Sequence, residues 1–210
     1  FYMEEVKKSQ TKRLYSLDAL RGFDMFWIMG GEAIFAGLAT LTGWPVLKWW
    51  ATQLEHVQWH GFVFYDMIFP LFLFIAGISF PFSYAKRTAN NDTRISIYKH
   101  VIYRGVILVL LGILYNNGVR FNLGELRYGS VLGRIGLAWM FAALIFMNTK
   151  LVYRIVWFWG LLIVYWILFI LFPAHDLGST DPFSQTGNLA SHIDRLIMPG
   201  RLYRGNHDPE

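Results

Sequence analysis

Cysteine is absent from the 210 residues. Disulfides, thiolate metal sites and a cysteine nucleophile are therefore excluded. Charge is also scarce, at 16% of residues, against about 25% in an ordinary soluble domain. The scarcity comes in blocks: residues 62–80 carry Asp66 as their one charge, and residues 151–172 carry Arg154 as theirs. No internal repeat, low-complexity tract or soluble domain is discernible. What fills the chain instead is apolar: 55% of residues are hydrophobic and 18% are aromatic. That composition rules out a disordered chain and argues against a soluble globular enzyme.

Runs of about 20 mainly apolar residues are long enough to cross ~30 Å of hydrocarbon. Five such runs can be drawn, at residues 17–38, 62–84, 101–115, 130–147 and 152–172, the third extending down to Ile95 if the helix is longer. The expected fold class is all-α, a polytopic transmembrane helical bundle of about five spans. It divides into a cytoplasmic segment, residues 1–16, a transmembrane helical domain, residues 17–172, and an extracytoplasmic polar segment, residues 173–210. No cleavable signal is read ahead of the first span.

The net charge is +5. In a soluble protein such an excess would raise nucleic acid as a partner; here the bases flank apolar blocks, and a bilayer is expected rather than nucleic acid. With the N-terminus inside, the inner segments hold twelve Lys and Arg and the outer ones six, the distribution of an inside N-terminus. The outer loop, residues 40–61, carries Trp49, Trp50 and Trp59, the residue type that gathers at membrane–water boundaries. Within residues 49–60, Trp50, Leu54 and Val57 recur at helical spacing, and so do Gln53, His56 and His60 on another face. An amphipathic helix lying on the outer interface is expected there.

Ionisable groups inside spans cost a few kcal/mol each at mid-bilayer and need partners or water. Asp24 and Glu32 lie in the first span, Asp66 in the second and Arg134 in the fourth, with Asn116 and Asn117 at the outer end of the third. Equal depth suggests an ion pair between Asp66 and Arg134. Asp18 and Arg21, three apart, are expected to pair at a helix start. His56 and His60 have the spacing of two ligands on one helix face, but a third ligand at diagnostic spacing is missing, so no metal is assigned. Gly30-Gly31 suits close helix packing or a helix break.

Several motifs occur in order. They are Arg13-Leu14-Tyr15-Ser16-Leu17-Asp18-Ala19-Leu20-Arg21-Gly22, His56-Val57-Gln58-Trp59-His60-Gly61, Asp66-Met67-Ile68-Phe69-Pro70 running on to Gly77, and Val131-Leu132-Gly133-Arg134-Ile135-Gly136. Ile193-Asp194-Arg195 and Asp208-Pro209-Glu210 follow. Together these resemble the heparan-alpha-glucosaminide N-acetyltransferase-like family of membrane acetyltransferases, in the bacterial branch described only as a domain of unknown function. The family often has Asn where Glu32 stands, Gln where Gly133 stands and Asn where His60 stands. It has about twice as many spans, so the resemblance implies the N-terminal half of a larger acyltransferase domain.

The resemblance further implies acetyl transfer from cytoplasmic acetyl-CoA, as co-substrate, to an amino sugar or glycan at the outer face of a bacterial cytoplasmic membrane. His56 matches the catalytic histidine, as a general base or as an acetyl acceptor. Asp66 or Glu32 would orient its ring and stabilise its charged form. Glu32, His60, Asn116, Asn117 and Arg134 would bind substrate, Arg134 at a CoA phosphate or the thioester oxygen. A homo-oligomer is left open. Two rivals stand beside the enzyme: an ion- or proton-coupled transporter that uses the intramembrane Asp24, Glu32, Asp66 and Arg134, and a non-catalytic envelope scaffold.

The orientation can be checked by labelling. In this Cys-free chain, a cysteine placed at Gln58 should react with a membrane-impermeant maleimide in intact cells, and one at Thr88 should not. The reverse pattern would overturn the inside N-terminus.

Overall fold

A computed structural model describes residues 14–57, 59–118, 126–174, 181–198 and 200–202. The first motif's Arg13, the basic segment 1–12, Gln58 and the terminal Asp208-Pro209-Glu210 lie outside the described residues. Helices account for nearly all the regular structure. In chain order they are α1 (Tyr15–Phe26), α2 (Glu32–Thr42), α3 (Pro45–Gln53), α4 (Ile68–Ala89), α5 (Arg94–Asn117), α6 (Val131–Asn148), α7 (Leu151–Leu171) and α8 (Leu189–Ile197). A π turn, Trp27–Gly31, joins α1 to α2, and a 3₁₀ turn, Phe64–Met67, leads into α4. Among the described residues no strand forms; Arg127 and Gly200 make an isolated antiparallel bridge.

Five helical stretches are long and apolar enough to cross a membrane: Tyr15–Thr42, Phe64–Ala89, Arg94–Asn117, Val131–Asn148 and Leu151–Leu171. These are the five expected, with changed ends. The third starts at Arg94, because the Thr93 hydroxyl accepts the Ser96 N–H at 3.3 Å and caps the helix ahead of its basic turns. The fourth is capped the same way, by Ser130 on Gly133 N–H at 2.9 Å. Its C-terminal carbonyls are met by arginines: Arg94 donates to Met147 O at 2.9 Å and Arg154 to Phe146 O at 2.7 Å. Cations at that end also suit the helix dipole.

The chain forms two compact units, Phe1–Asp92 and Thr93–Glu210. In the first, α1 packs on α4 and α2 folds back on α3. Arg21 pairs with Asp18 at 3.4 Å, as expected from their spacing, and also donates to Ser79 of α4. The first span breaks at Gly30, whose φ of +106° lies outside the range that L side chains adopt easily. A helix bend at a π turn and glycine has an identifiable cause of this kind. Trp27, Leu54 and Ile68 form the core, with Phe35, Phe64 and Tyr65 packed against it.

In the second unit, α5 and α6 pack closely. The contact runs through Gly105, Gly112, Gly133 and Gly136, the small-residue interface that lets helix backbones approach inside a membrane. Arg104 lies over the Trp139 ring, 4.4 Å from its centroid. No residue of α7 is buried, although it is almost wholly apolar. Such a surface is stable against hydrocarbon and not against water.

The glycine interface is testable. A Cβ on Gly136 would lie 2.7 Å from Leu108 Cβ and 2.9 Å from Gly105 O. Gly136→Ala should cost about 1–3 kcal/mol through overpacking. Gly160→Ala on α7, where nothing lies within 4 Å, should be close to neutral. Thermal unfolding in detergent measures both, and equal stabilities would contradict the packing.

Candidate active site

The site in the first unit is built by the chain leaving a helix early. The amphipathic helix expected through residue 60 stops at Gln53; Leu54 is its C-terminal cap. Gln53, His56 and His60 therefore do not share a helix face, contrary to the periodicity. The physical reason is burial. Leu54 is 3% exposed and joins Trp27 and Ile68 in the core. The turn that buries it also brings His56 back over the Phe64–Met67 turn.

Asp66 is the joint. Its Oδ2 accepts the Val63 N–H at 3.1 Å, capping the 3₁₀ turn, and its Oδ1 lies 2.8 Å from His56 Nδ1. A carboxylate only accepts, so with Asp66 ionised Nδ1 carries the proton and Nε2 is the basic nitrogen. The imidazole is 65% exposed at the side chain and the carboxylate 25%. The pair thus has a fixed end and an accessible end, the arrangement a general base needs.

Tyr65, the neighbour of Asp66 in the same turn, sets its ring edge-to-face against His56 at 4.8 Å and 74°. No spacing rule singles it out; its place beside Asp66 is the one signal the sequence offers. Glu32 opens α2 and is an electrostatic neighbour of Tyr65. Its Oε2 is buried with no hydrogen-bond partner among the described residues. His56 thus meets both Tyr65 and Asp66 of one turn. His60 is exposed, with its ring 6.4 Å from that of Trp59. Asp24 is completely buried, and neither of its oxygens has a partner among the described residues.

The remaining candidates lie in the second unit. Arg134 faces Asp194 of α8 at 3.9 Å. Arg134 thus has an acid within its own unit, and Asp66 holds His56 within the first. Asn116 donates to Gly129 O at 2.8 Å. Asn117 donates to Arg127 O at 2.9 Å and accepts the Arg127 N–H at 2.7 Å. Both asparagines fasten the loop ahead of α6 to the end of α5.

Two curated proteins are similar to this chain. One is the heparan-alpha-glucosaminide N-acetyltransferase of Mus musculus, 24% identical over 149 residues, which are 69% of this chain and 21% of that protein. The chain is a distant relative of that enzyme. The other is the heparan-alpha-glucosaminide N-acetyltransferase of Homo sapiens, 25% identical over 138 residues, which are 63% of this chain and 19% of that protein. The chain thus spans about a fifth of the length of the curated relatives it matches. No family model matches. The similarity agrees with the resemblance carried by the motifs, and five helices are long and apolar enough to cross a membrane.

The joint at Asp66 predicts an order of stabilities. His56→Ala removes an exposed partner and should cost no more than about 1 kcal/mol. Asp66→Ala also strands the Val63 N–H and should cost more, about 1–3 kcal/mol. Thermal melts of the two variants in one detergent check this, and the opposite order would contradict the capping role.

Proposed function

We propose that this chain is part of an integral-membrane acyltransferase that moves an acetyl group from cytoplasmic acetyl-CoA to an amino sugar or glycan at the outer face. The membrane in this reading is the cytoplasmic membrane of a bacterium. The observation that carries the proposal is the His56–Asp66 contact at 2.8 Å, between two motifs shared with the resembled family. Asp66 holds Nδ1–H and stabilises the imidazolium that forms. Nε2 then takes the proton from the attacking amine or hydroxyl as its bond to the acetyl carbon forms, and returns that proton to the CoA sulfur as the C–S bond breaks. Alternatively, Nε2 itself attacks the acetyl carbon and expels CoA as the thiol, and the acceptor then takes the acetyl group from Nε2 and frees the ring.

The other residues take supporting roles in this reading. Glu32 and His60 meet the acceptor. In the second unit, Arg134 offers a cation for a CoA phosphate or for the thioester oxygen as negative charge develops. Asn116 and Asn117 hold the loop at Gly129 and Arg127 and line the substrate side. The two curated relatives are named as N-acetyltransferases of a heparan glucosaminide, and an amino-sugar acceptor follows from that name by analogy.

A second reading, an ion- or proton-coupled transporter, is favoured by one observation. Asp24 is fully buried in a span that breaks at Gly30, and broken helices with intramembrane acids line transport paths. The two readings separate on His56. In the acyltransferase, His56→Ala should fold and lose roughly 10²–10⁴-fold in turnover, with a smaller loss for His60→Ala, measured with labelled acetyl-CoA. Near-normal transfer by folded His56→Ala would remove His56 from the mechanism. Solute flux in vesicles without acetyl-CoA would favour the transporter.

A further inference from the structure

We infer that Tyr65 is a positioning residue for His56, holding the imidazole plane in the orientation that Asp66 alone does not fix. The starting point is a geometric shortfall. His56 stands outside any helix on a side chain that is 65% exposed. One hydrogen bond, Nδ1 to Asp66 Oδ1, fixes where that nitrogen sits. It leaves the ring free to swing about the N···O axis, and Nε2 would swing with it.

Tyr65 removes that freedom. Its ring meets the imidazole edge-to-face, with centroids 4.8 Å apart and planes at 74°, a preferred geometry for aromatic pairs. Asp66 and Tyr65 are consecutive residues of the Phe64–Met67 turn, so one short turn delivers both the hydrogen-bond acceptor and the wall. The turn is itself anchored. Phe64 packs on Trp27 at 5.6 Å and on Trp50 at 6.1 Å, and Trp27 packs on Phe35 at 5.6 Å. Tyr65 is half-buried against the core of Trp27, Leu54 and Ile68. A ring held on both sides in this way is a rigid stop for an exposed histidine. The role belongs to the ring face and edge, not to the hydroxyl.

The activity part of this inference rests on the acyl-transfer reading; the spectroscopic part does not. The test compares Tyr65→Phe with Tyr65→Leu in the purified protein, following the His56 ring-proton signals by NMR, assigned by their loss in His56→Ala. The Tyr65 ring current displaces these signals. They should stay in place in Tyr65→Phe and move in Tyr65→Leu. Acetyl transfer should be nearly unchanged in Tyr65→Phe. In Tyr65→Leu, kcat should fall roughly 10–10²-fold at unchanged KM, the scale of loss from a reacting group misplaced by about 1 Å. If Tyr65→Leu does not fold, Tyr65→Met puts a flexible chain of similar length at the position and takes its place. An undisturbed His56 signal in the variant without a ring would overturn the inference. So would a Phe variant as damaged as the Leu variant, because that result assigns the effect to the hydroxyl. If wild-type protein shows no acetyl transfer, the proposed activity fails, and the NMR comparison still tests the ring contact on which the positioning rests.

Discussion

The Asp66 carboxylate is the constraint on which the arrangement of the first unit depends. One oxygen closes the 3₁₀ turn on Val63 and the other holds His56. A carboxylate at the mouth of an apolar span needs partners, and the chain supplies them from three and ten residues upstream. To bring His56 there, helix α3 ends at Gln53 and Leu54 enters the core. The aromatic rings of Trp27, Phe35, Trp50 and Phe64 then hold the turn against the broken first span. The chemistry and the packing share the same few residues.

Charged residues of the motifs meet in pairs. Asp18 and Arg21 of the first pair within one helix turn. His56 of the second motif meets Asp66 of the third. Arg134 of the fourth faces Asp194 of the fifth across α6 and α8. Gly133 and Gly136 beside Arg134 serve the α5–α6 contact, so that motif combines a packing face with a charged one. Ion pairs in or beside spans keep charges that insertion would otherwise penalise. Asp24 and the Glu32 Oε2 differ: both are buried without a bonded partner among the described residues, on the span that breaks at Gly30.

Much of this was legible in the residues. The five spans follow from hydropathy, because hydrocarbon thickness sets helix length, and the Asp18–Arg21 pair follows from helical spacing. The sequence also marked His56 and Asp66, through one motif just ahead of the second span and one at its start. Either Asp66 or Glu32 was expected to orient the His56 ring; the contact with Asp66 depends on α3 ending at Gln53. The periodicity of Trp50, Leu54 and Val57 fits a helix through residue 60 equally well, and the burial of Leu54 overrides it. Tyr65 escaped notice because an aromatic in an apolar run looks like core, and only the returning His56 gives its ring a second face to meet.

The central claim is that His56 and Asp66 act as one unit in acetyl transfer. A double-mutant cycle on the transfer rate, using His56→Ala, Asp66→Asn and the two together, tests it most directly. Groups that act as a unit are strongly non-additive. The double variant should therefore be no slower than His56→Ala alone. Losses that multiply, with the double variant slower by the product of the two single effects, would show that Asp66 and His56 contribute independently and would contradict the account.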